Sequence, residues 1–463
     1  MLVMKFGGTS VADAERMLGV ASLVREAGDR RPVVVMSALG GVTDLLFQGA
    51  QAALQGDRPA YESLLQELRR RHEEAGRRLA RCRGAERAEE EGESIQGELA
   101  PILNRLAETY RGISLLGELS ARTQDLVAGT GEILSSRLMV YACRAQGLDA
   151  VWVDPREWLL TNDDFGRAQP LWEQVRERAR KLFSQVAATG AVPVTGGYVG
   201  ATAKGIPTTL GRGGSDYSAS ILGVCLGVEE IQIWTDVDGM MTADPKRVPE
   251  ARLLEEVSFA EAAELAYFGA KVLHPSTIQP AMEADIPVRV LNTLKPEVPG
   301  TRITAAGRRG ETIRAIAAKN GITGVTITSA RMLMAHGFLS SVFQVFDRHR
   351  TAIDLIATSE VSLSLTVDDT RNLDGIRRDL EAFSQVEVHP ELAVVAVVGR
   401  NFLQQREVAG RIFSALRQVN ILMISFGASD INLSFVVKEA DADRTLRLLH
   451  RELLAPSLAE GSA

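Results

Sequence analysis

The sequence is poor in cysteine, with only Cys82, Cys143 and Cys225 in 463 residues. An odd number of widely spaced cysteines excludes a disulfide framework and any Cys-x-x-Cys zinc site. The six histidines are equally scattered, and none lies at metal-ligand spacing from another. We therefore expect no transition metal ligated by protein side chains.

Other absences narrow the class of protein further. No apolar run reaches the roughly 18 residues that a membrane span needs, so a membrane protein is not expected. Residues 1–5 show no secretion signal, which predicts a cytoplasmic protein. A net charge of −7 argues against a nucleic-acid partner, because phosphate backbones attract a basic face. The length fits roughly three domains of ordinary size.

Short apolar runs rich in β-branched residues recur through the first two thirds of the chain. Several are continuous, as is typical of strands covered on both faces. Segments with helical periodicity separate them, for example 167–188 and 259–268. The alternation predicts an α/β fold with a mostly parallel sheet sandwiched by helices. The runs are 33–36, 151–153, 192–195, 231–234 and 286–290.

A helical excursion is predicted for residues 61–117, which are rich in Leu, Arg, Glu and Ala. We expect its Glu89–Glu91 run to mark a solvated turn. The Arg69–Arg71 run, flanked by glutamates, is interpreted as a solvated helix face rather than a binding patch. No chemistry is assigned to this region.

The last third contains an internal repeat at an offset of about 70 residues. Phe343 aligns with Phe413, and the segment at Leu363 aligns with that at Leu433. Each copy shows the pattern of an amphipathic helix, a strand, a short turn and a second, alternating strand. Two copies of one folding unit are predicted.

Two glycine-rich segments, residues 5–10 (KFGGTS) and 211–216 (GRGGSD), predict phosphate binding. Bare glycine backbone beside a cation or hydroxyl lets main-chain N–H groups close around phosphate oxygens. Neither segment has the G-x-x-x-x-G-K-[ST] or G-x-G-x-x-G spacing, so a phosphoryl-transfer site of another design is expected. Lys5 could lie over the phosphates, with an ordinary surface lysine as the alternative.

Four further positions could hold a small substrate. Ser37 and Thr43 flank the start of a helix that follows a predicted strand, where N–H groups and the helix dipole favour anions. The alternative is that they only cap the helix. Glu132 could face a substrate ammonium, or it could be a surface carboxylate at a helix start. The planar guanidinium group of Arg212 could bind a carboxylate or phosphate through two hydrogen bonds.

Four motifs together, at 5–10, 211–216, 235–239 and 268–275, closely resemble the aspartate kinases of the amino acid kinase family. The likeness runs from Met1 to about Leu454 and includes the repeat, which resembles paired ACT regulatory domains of the lysine-sensitive, single-function type. It implies an amino acid kinase fold and two α+β, ferredoxin-like ACT domains, with limits at 1–295, 311–385 and 386–463.

The resemblance also implies an activity and roles for individual residues. The reaction is ATP-dependent phosphorylation of the L-aspartate side-chain carboxylate, the first step toward lysine, threonine and methionine. The catalytic residues would be Lys5, Asp216 and Lys271. Aspartate would be held by Ser37, Thr43, Glu132 and Arg212, with Ser215 between the substrates. The nucleotide would contact Lys5, Gly7, Gly8, Thr235, Asp236, Met241, Lys246 and Lys271.

Two of these positions depart from the family pattern, because tyrosine is expected at Met241 and arginine at Lys246. Aromatic stacking and bidentate hydrogen bonds to ATP are therefore expected to be replaced by weaker, less directional contacts. The chemistry itself needs no general base, since an aspartate side chain with a pKa of about 3.9 is ionised at neutral pH. It needs cations around the transferred phosphoryl group: Lys5, Lys271 and Mg²⁺ bound mainly through ATP.

An amino-acid effector is implied to bind between ACT domains of two subunits, with Asp354 pairing with its ammonium. Met334 and Ala335 stand where lysine-sensitive enzymes are expected to have His and Ser. Lysine inhibition and a homodimer through the ACT domains are predicted, since paired sheets cover edge strands. The effector positions are Met332, Gly337, Phe338, Leu339, Asp354, Thr358, Ser359, Glu360 and Val361.

Two alternatives remain beside this function. A kinase for glutamate or acetylglutamate is disfavoured because those enzymes lack the paired repeat. A catalytically silent amino-acid sensor would not need Lys5, Arg212, Asp216, Asp236 and Lys271 together. A fused homoserine dehydrogenase is not expected, as nothing resembling a nicotinamide domain follows Leu454.

Overall fold

The computed structural model describes residues 1–82, 85–269, 273–307, 312–329, 332 and 336–454. The chain divides into two compact units. The first contains Met1–Gly239, Glu255–Phe259 and Val272–Gly307, and the second contains Met240–Leu254, Ala260–Lys271 and Arg308–Ala463. Within the described residues, no helix is long and apolar enough to cross a bilayer.

The first unit is built on an eight-stranded sheet with the order β3-β5-β2-β1-β8-β10-β11-β9. The pairs from β3 to β10 are parallel, whereas β10 and β11 are antiparallel. The strands are β1 (Leu2–Phe6), β2 (Pro32–Met36), β3 (Ala150–Val153), β5 (Val192–Gly196), β8 (Glu230–Thr235), β9 (Glu256–Ser258), β10 (Val288–Asn292) and β11 (Thr301–Thr304). A small sheet joins β4 (Leu160–Thr161), β6 (Val199–Thr202) and β7 (Pro207–Thr209).

The helices of the α/β fold lie between these strands in the chain. Those before β8 are α1 (Ala14–Glu26), α2 (Val42–Leu54), α3 (Arg58–Arg81), α4 (Ala85–Leu116), α5 (Ala121–Ala128), α6 (Thr130–Ala145), α7 (Pro155–Trp158), α8 (Trp172–Ala188) and α9 (Gly214–Leu226). Two more follow, α10 (Phe259–Tyr267) and α11 (Pro275–Glu283). The predicted fold class is confirmed.

The central strands are buried on both faces, as their continuous apolar sequences predict. Every residue of β1 and of β2 is buried. Phe6 is in register with Met36 of β2 and with Trp234 of β8. The residues that follow these three strands therefore emerge side by side at one edge of the sheet.

Two local predictions are wrong in the first unit. Helix α8 begins at Trp172 rather than Arg167, because Pro170 disfavours helical backbone at the residue before it. Glu89–Glu91 lie inside α4 rather than in a turn, since glutamate is a good helix former.

The excursion of α3 and α4 is part of the main core. Leu68 and Leu103 are fully buried in the same apolar cluster as Met4 and Val34 of the sheet. On its outer face Arg70 pairs with Glu67 and Glu74 at 2.8 and 3.0 Å, as expected for a solvated helix face. Arg71 instead donates to the Gly40 carbonyl at 2.7 Å, so the excursion also holds the loop after β2.

The second unit contains a six-stranded sheet with the order β13-β14-β12-β15-β17-β16, and its neighbouring strands are antiparallel. Its strands are β12 (Ile313–Thr328), β13 (Ile356–Thr358), β14 (Ser362–Val367), β15 (Gln385–Gly399), β16 (Met423–Ser425) and β17 (Asn432–Lys438). Its helices are α12 (Phe338–Arg348), α13 (Leu373–Glu381), α14 (Val408–Ala415) and α15 (Ala442–Leu454).

The predicted repeat is visible as α12, β13 and β14 in one copy and α14, β16 and β17 in the other. Each copy packs its own core, around Val342 and Leu363 in the first and around Ile412 and Leu433 in the second. The long strands β12 and β15 pair with each other through both copies. The predicted division at 385 and 386 falls inside β15, and the domain limits stay predictions.

The burial of α4 predicts that the excursion stabilises the first unit. We expect Leu103→Ala to lower its free energy of unfolding by about 2–5 kcal/mol, as for other cavities made in a packed core. Leu115→Ala in the same helix is the control, because Leu115 is 77% exposed. Urea unfolding followed by tryptophan fluorescence reports on this unit, which holds all four tryptophans. Equal effects of the two changes would contradict the prediction.

Candidate active site

A cavity of about 590 Å³ lies in the first unit, at the carboxyl ends of β1 and β2 and the amino ends of α6 and α9. The structure brings seven of the predicted site residues to this one cavity. They are Lys5, Ser37, Thr43, Glu132, Arg212, Ser215 and Asp216.

An ion pair joins the two glycine-rich segments at this cavity. Lys5 Nζ lies 2.6 Å from Asp216 Oδ1, with only 10% and 14% of the two side chains exposed. Lys5 belongs to β1, and Asp216 to the first turn of α9. A buried cation is thus held where the positive end of a helix dipole also points, and both favour an anionic ligand.

Glycine is required at the turn into α9. Gly211 and Gly213 have φ of 80° and 71°, in the left-handed region that side chains rarely adopt. A Cβ on Gly214 would lie 2.5 Å from the Tyr198 ring. No side chain of the described residues caps the first turn of α9, which leaves helix N–H groups for a ligand.

The loop after β2 is fixed by backbone contacts. The Ser37 N–H donates to the Phe6 carbonyl at 3.1 Å, and the Ser135 hydroxyl donates to the Ser37 carbonyl at 2.6 Å. Helix α2 has Gly41 as its N-cap residue, and no described side chain caps it. The capping alternative for Ser37 and Thr43 is therefore wrong, and both side chains line the cavity.

Glu132 is a buried carboxylate, which excludes the surface alternative. Only 5% of the residue is exposed. Burial raises the pKa of its carboxyl to about 7, although backbone N–H groups and the Lys5 ammonium act against this rise. Its Oε2 has no hydrogen-bond partner among the described residues. A cation that reaches Oε2 would satisfy it and lower its pKa again.

Asp125 and Tyr198 also line the cavity and are missed by sequence reasoning. Asp125 accepts hydrogen bonds from the Thr209 N–H and hydroxyl at 2.9 and 2.7 Å, so it fixes β7 beside the cavity. No local motif marks Asp125. Tyr198, with φ of 65°, follows Gly196-Gly197 at the end of β5. That glycine pair resembles the one after β1 and is the signal that could have found Tyr198.

The predicted phosphate and nucleotide residues are only partly brought together. Gly7 donates its N–H to the Trp234 carbonyl at 3.0 Å, and a Cβ on Gly8 would lie 2.9 Å from the Ala38 carbonyl oxygen. Thr235 ends β8, the neighbour of β1, and is followed by Asp236. Met241 and Lys246 belong to the second unit, and Lys271 lies outside the described residues.

The predicted effector residues belong to the second unit. Gly337 is the N-cap of α12, with φ of 87°, and Phe338 and Leu339 begin that helix. Thr358 ends β13, and the turn Ser359–Val361 leads into β14. Met332 packs against the core of the first copy. Asp354 precedes β13, whereas Met334 and Ala335 lie outside the described residues.

Comparison with known families agrees with this geometry. Residues 1–292 match the model of the amino acid kinase family, and residues 395–453 match an ACT domain. The chain is 38% identical to lysine-sensitive aspartokinase 3 of Escherichia coli, over 98% of this chain and 99% of that protein. It is 37% identical to aspartokinase 1 of Arabidopsis thaliana, a chloroplastic protein, over 99% of this chain and 83% of the relative.

Solved structures give the same result. The crystal structure of Escherichia coli aspartokinase III in complex with aspartate and ADP matches with a TM-score of 0.83 and 37% identity, over 98% of this chain and 99% of that one. The complex of the same enzyme with lysine and aspartate matches with a TM-score of 0.82 and the same identity and coverage.

The raised pKa of Glu132 predicts a pH-dependent cost of folding. In the unfolded chain this carboxyl ionises near 4.5, but in the folded protein it holds its proton up to about pH 7. Its contribution to stability is therefore greatest below pH 4.5 and falls as pH rises to 7. The free energy of unfolding of Glu132→Gln, relative to that of the wild type, is therefore expected to rise by about 2–3 kcal/mol from pH 5 to pH 8.

Urea unfolding at both pH values, without substrates, measures this change. Glu118→Gln is the matched control, since it makes the same substitution at an exposed glutamate of the first unit. If the difference in free energy of unfolding between Glu132→Gln and the wild type is the same at both pH values, Glu132 does not have a raised pKa in the folded protein.

Proposed function

The chain belongs to the aspartokinases of the amino acid kinase family, and we propose on this basis that it is an aspartate kinase. It transfers the γ-phosphoryl group of ATP to the side-chain carboxylate of L-aspartate and forms 4-phospho-L-aspartate. The observation that carries the proposal is the Lys5–Asp216 ion pair, in the cavity that also presents Glu132 and Arg212.

The charges of the cavity fit aspartate, which carries two carboxylates and one ammonium. Arg212, the hydroxyls of Ser37 and Thr43 and the amino end of α9 favour carboxylates. Glu132 would receive the ammonium, because its buried Oε2 has no other partner among the described residues. Ser215, next to Asp216, would lie between aspartate and ATP.

The residues act by positioning and by electrostatic stabilisation. The aspartate carboxylate is already ionised at neutral pH, so no side chain has to remove a proton. Lys5 would bind the transferred phosphoryl group and stabilise the negative charge that spreads over its oxygens. Asp216 holds the Lys5 ammonium in place before the substrates bind. Lys271 is proposed as the second cation of the site.

The nucleotide would lie at the neighbouring strand ends. Gly7 and Gly8 allow backbone to approach its phosphates, and Thr235 and Asp236 follow the adjacent strand β8. Met241, Lys246 and Lys271 would complete its site. Mg²⁺ would arrive with ATP, whose phosphate oxygens are the hard ligands that it prefers. Asp216 fits such an ion, because it presents a carboxylate at the same cavity.

Regulation is proposed for the second unit. Lysine is bound in the T-state structure of the similar Escherichia coli enzyme, which supports lysine as the effector here. Its predicted contacts include Asp354, in the first copy of the repeat. We also propose a homodimer through the ACT domains, because β13 and β16 are edge strands with half-exposed apolar residues, Ile356 and Ile424. A cytoplasmic location stays a prediction.

The test of this function is ADP release with ATP, Mg²⁺ and one acid at a time. L-aspartate should support turnover, whereas L-glutamate and N-acetyl-L-glutamate should not. Lysine, and not threonine or methionine, should inhibit the reaction. Turnover only with another acid would indicate a related kinase, and no turnover with any acid would indicate a silent sensor.

Lys5 should be indispensable for turnover. We expect Lys5→Ala to lower kcat by about 100-fold or more, because it removes a cation that stabilises the transition state. Lys181→Ala on the exposed face of α8 is the control and should leave kcat unchanged. Steady-state assays of the two folded variants measure the effect. Near-normal turnover of Lys5→Ala would remove Lys5 from the mechanism.

A further inference from the structure

Asp354, the proposed partner of the effector's ammonium, already binds two side chains of the protein. The Tyr267 hydroxyl donates a hydrogen bond to Asp354 Oδ1. Lys319 Nζ lies 3.5 Å from the same oxygen. The Asp354 side chain is only 4% exposed. A ligand that uses this carboxylate must therefore compete with two groups of the protein itself.

Lys319 ties these groups into one cluster. Its ammonium lies 2.8 Å from Asp368 Oδ2 and 4.7 Å from the centre of the Tyr267 ring. The ring thus contacts the cation through its face while its hydroxyl binds Asp354. We call Tyr267, Lys319, Asp354 and Asp368 the Tyr267 cluster.

The second oxygen of Asp354 is not satisfied by this arrangement. Oδ2 is buried and has no hydrogen-bond partner among the described residues. Burial raises the pKa of the Asp354 carboxyl, while the Tyr267 hydroxyl and the Lys319 ammonium act in the opposite direction. The carboxylate gains from an additional donor, and an arriving ammonium supplies a charged one.

Tyr267 connects this carboxylate to a second functional segment. It is the last residue of α10, and its ring packs edge-on against that of Phe268 with 5.0 Å between the ring centres. Gly269 follows with φ of 125°, and a Cβ there would lie 2.8 Å from the Ala318 carbonyl oxygen, next to Lys319. Only three residues separate Tyr267 from Lys271, which is proposed to contact the nucleotide.

We propose that the Tyr267 cluster couples the effector to the nucleotide site, as an extension of the proposed lysine regulation. The effector's ammonium displaces the Tyr267 hydroxyl and the Lys319 ammonium from the Asp354 carboxylate. The carboxyl end of α10, four positions before Lys271 in the chain, then loses its anchor, and ATP binding weakens. Tyr267 and Lys319 consequently determine how tightly an amino-acid effector binds, because both compete with it for one carboxylate.

Tyr267→Phe tests the competition, since it removes the hydroxyl and keeps the ring. We expect the lysine concentration for half-inhibition to fall at least threefold, and the KM for ATP without lysine to rise at least threefold. Tyr141→Phe is the matched control. It removes a tyrosine hydroxyl bonded to another carboxylate, Glu98 at 2.7 Å, within the first unit, and both values should stay within twofold of wild type.

Asp354→Asn and the wild-type enzyme complete the experiment. Asp354→Asn should abolish lysine binding in calorimetry, and lysine should accelerate amide hydrogen exchange of residues 259–267 in the wild-type enzyme. Unchanged values for Tyr267→Phe, or exchange that lysine does not alter, overturn the coupling and leave lysine regulation standing. A wild-type kinase that does not bind lysine overturns the regulation and the coupling together, while its aspartate kinase activity stands.

Discussion

The contact between Lys5 and Asp216 is the interaction on which the rest of the site depends. It requires β1 at the centre of a parallel sheet and α9 with its amino end at the edge of that sheet. The glycines before α9 permit the turn that delivers Asp216, and the register of β1 with β2 and β8 delivers the loops on either side. These segments, distant in sequence, therefore end at one edge of the sheet, where the proposed reaction would bring aspartate and ATP together.

Sequence reasoning is accurate where a local pattern of residues has a single physical explanation. Continuous runs such as Val33–Met36 predict buried strands because both faces need apolar side chains. The glycines at 211, 213 and 214 predict a tight ligand-binding turn because a Cβ would clash there or force unfavourable backbone. The repeat is visible for the same reason, since each copy buries equivalent apolar positions.

The errors arise where distant parts of the chain decide the outcome. Nothing near Glu132 in the sequence indicates that α6 buries it and leaves one oxygen without a described partner. Asp125 is equally unmarked, since Thr209, its bonding partner, comes from a strand far along the chain. The Glu89–Glu91 run is interpreted as a turn from its charge and the nearby glycines, but helix propensity prevails within a long packed helix.

The two long strands of the second unit have a consequence for how its halves can exist. Ile313 and Ile316, at the start of β12, pack in the core of the later copy, while Val325 and Ile327 further along the same strand pack in the core of the earlier one. The two copies are therefore interlaced rather than arranged in series. A fragment that contained either half alone would leave apolar residues of the long strands uncovered, so neither half is expected to fold by itself.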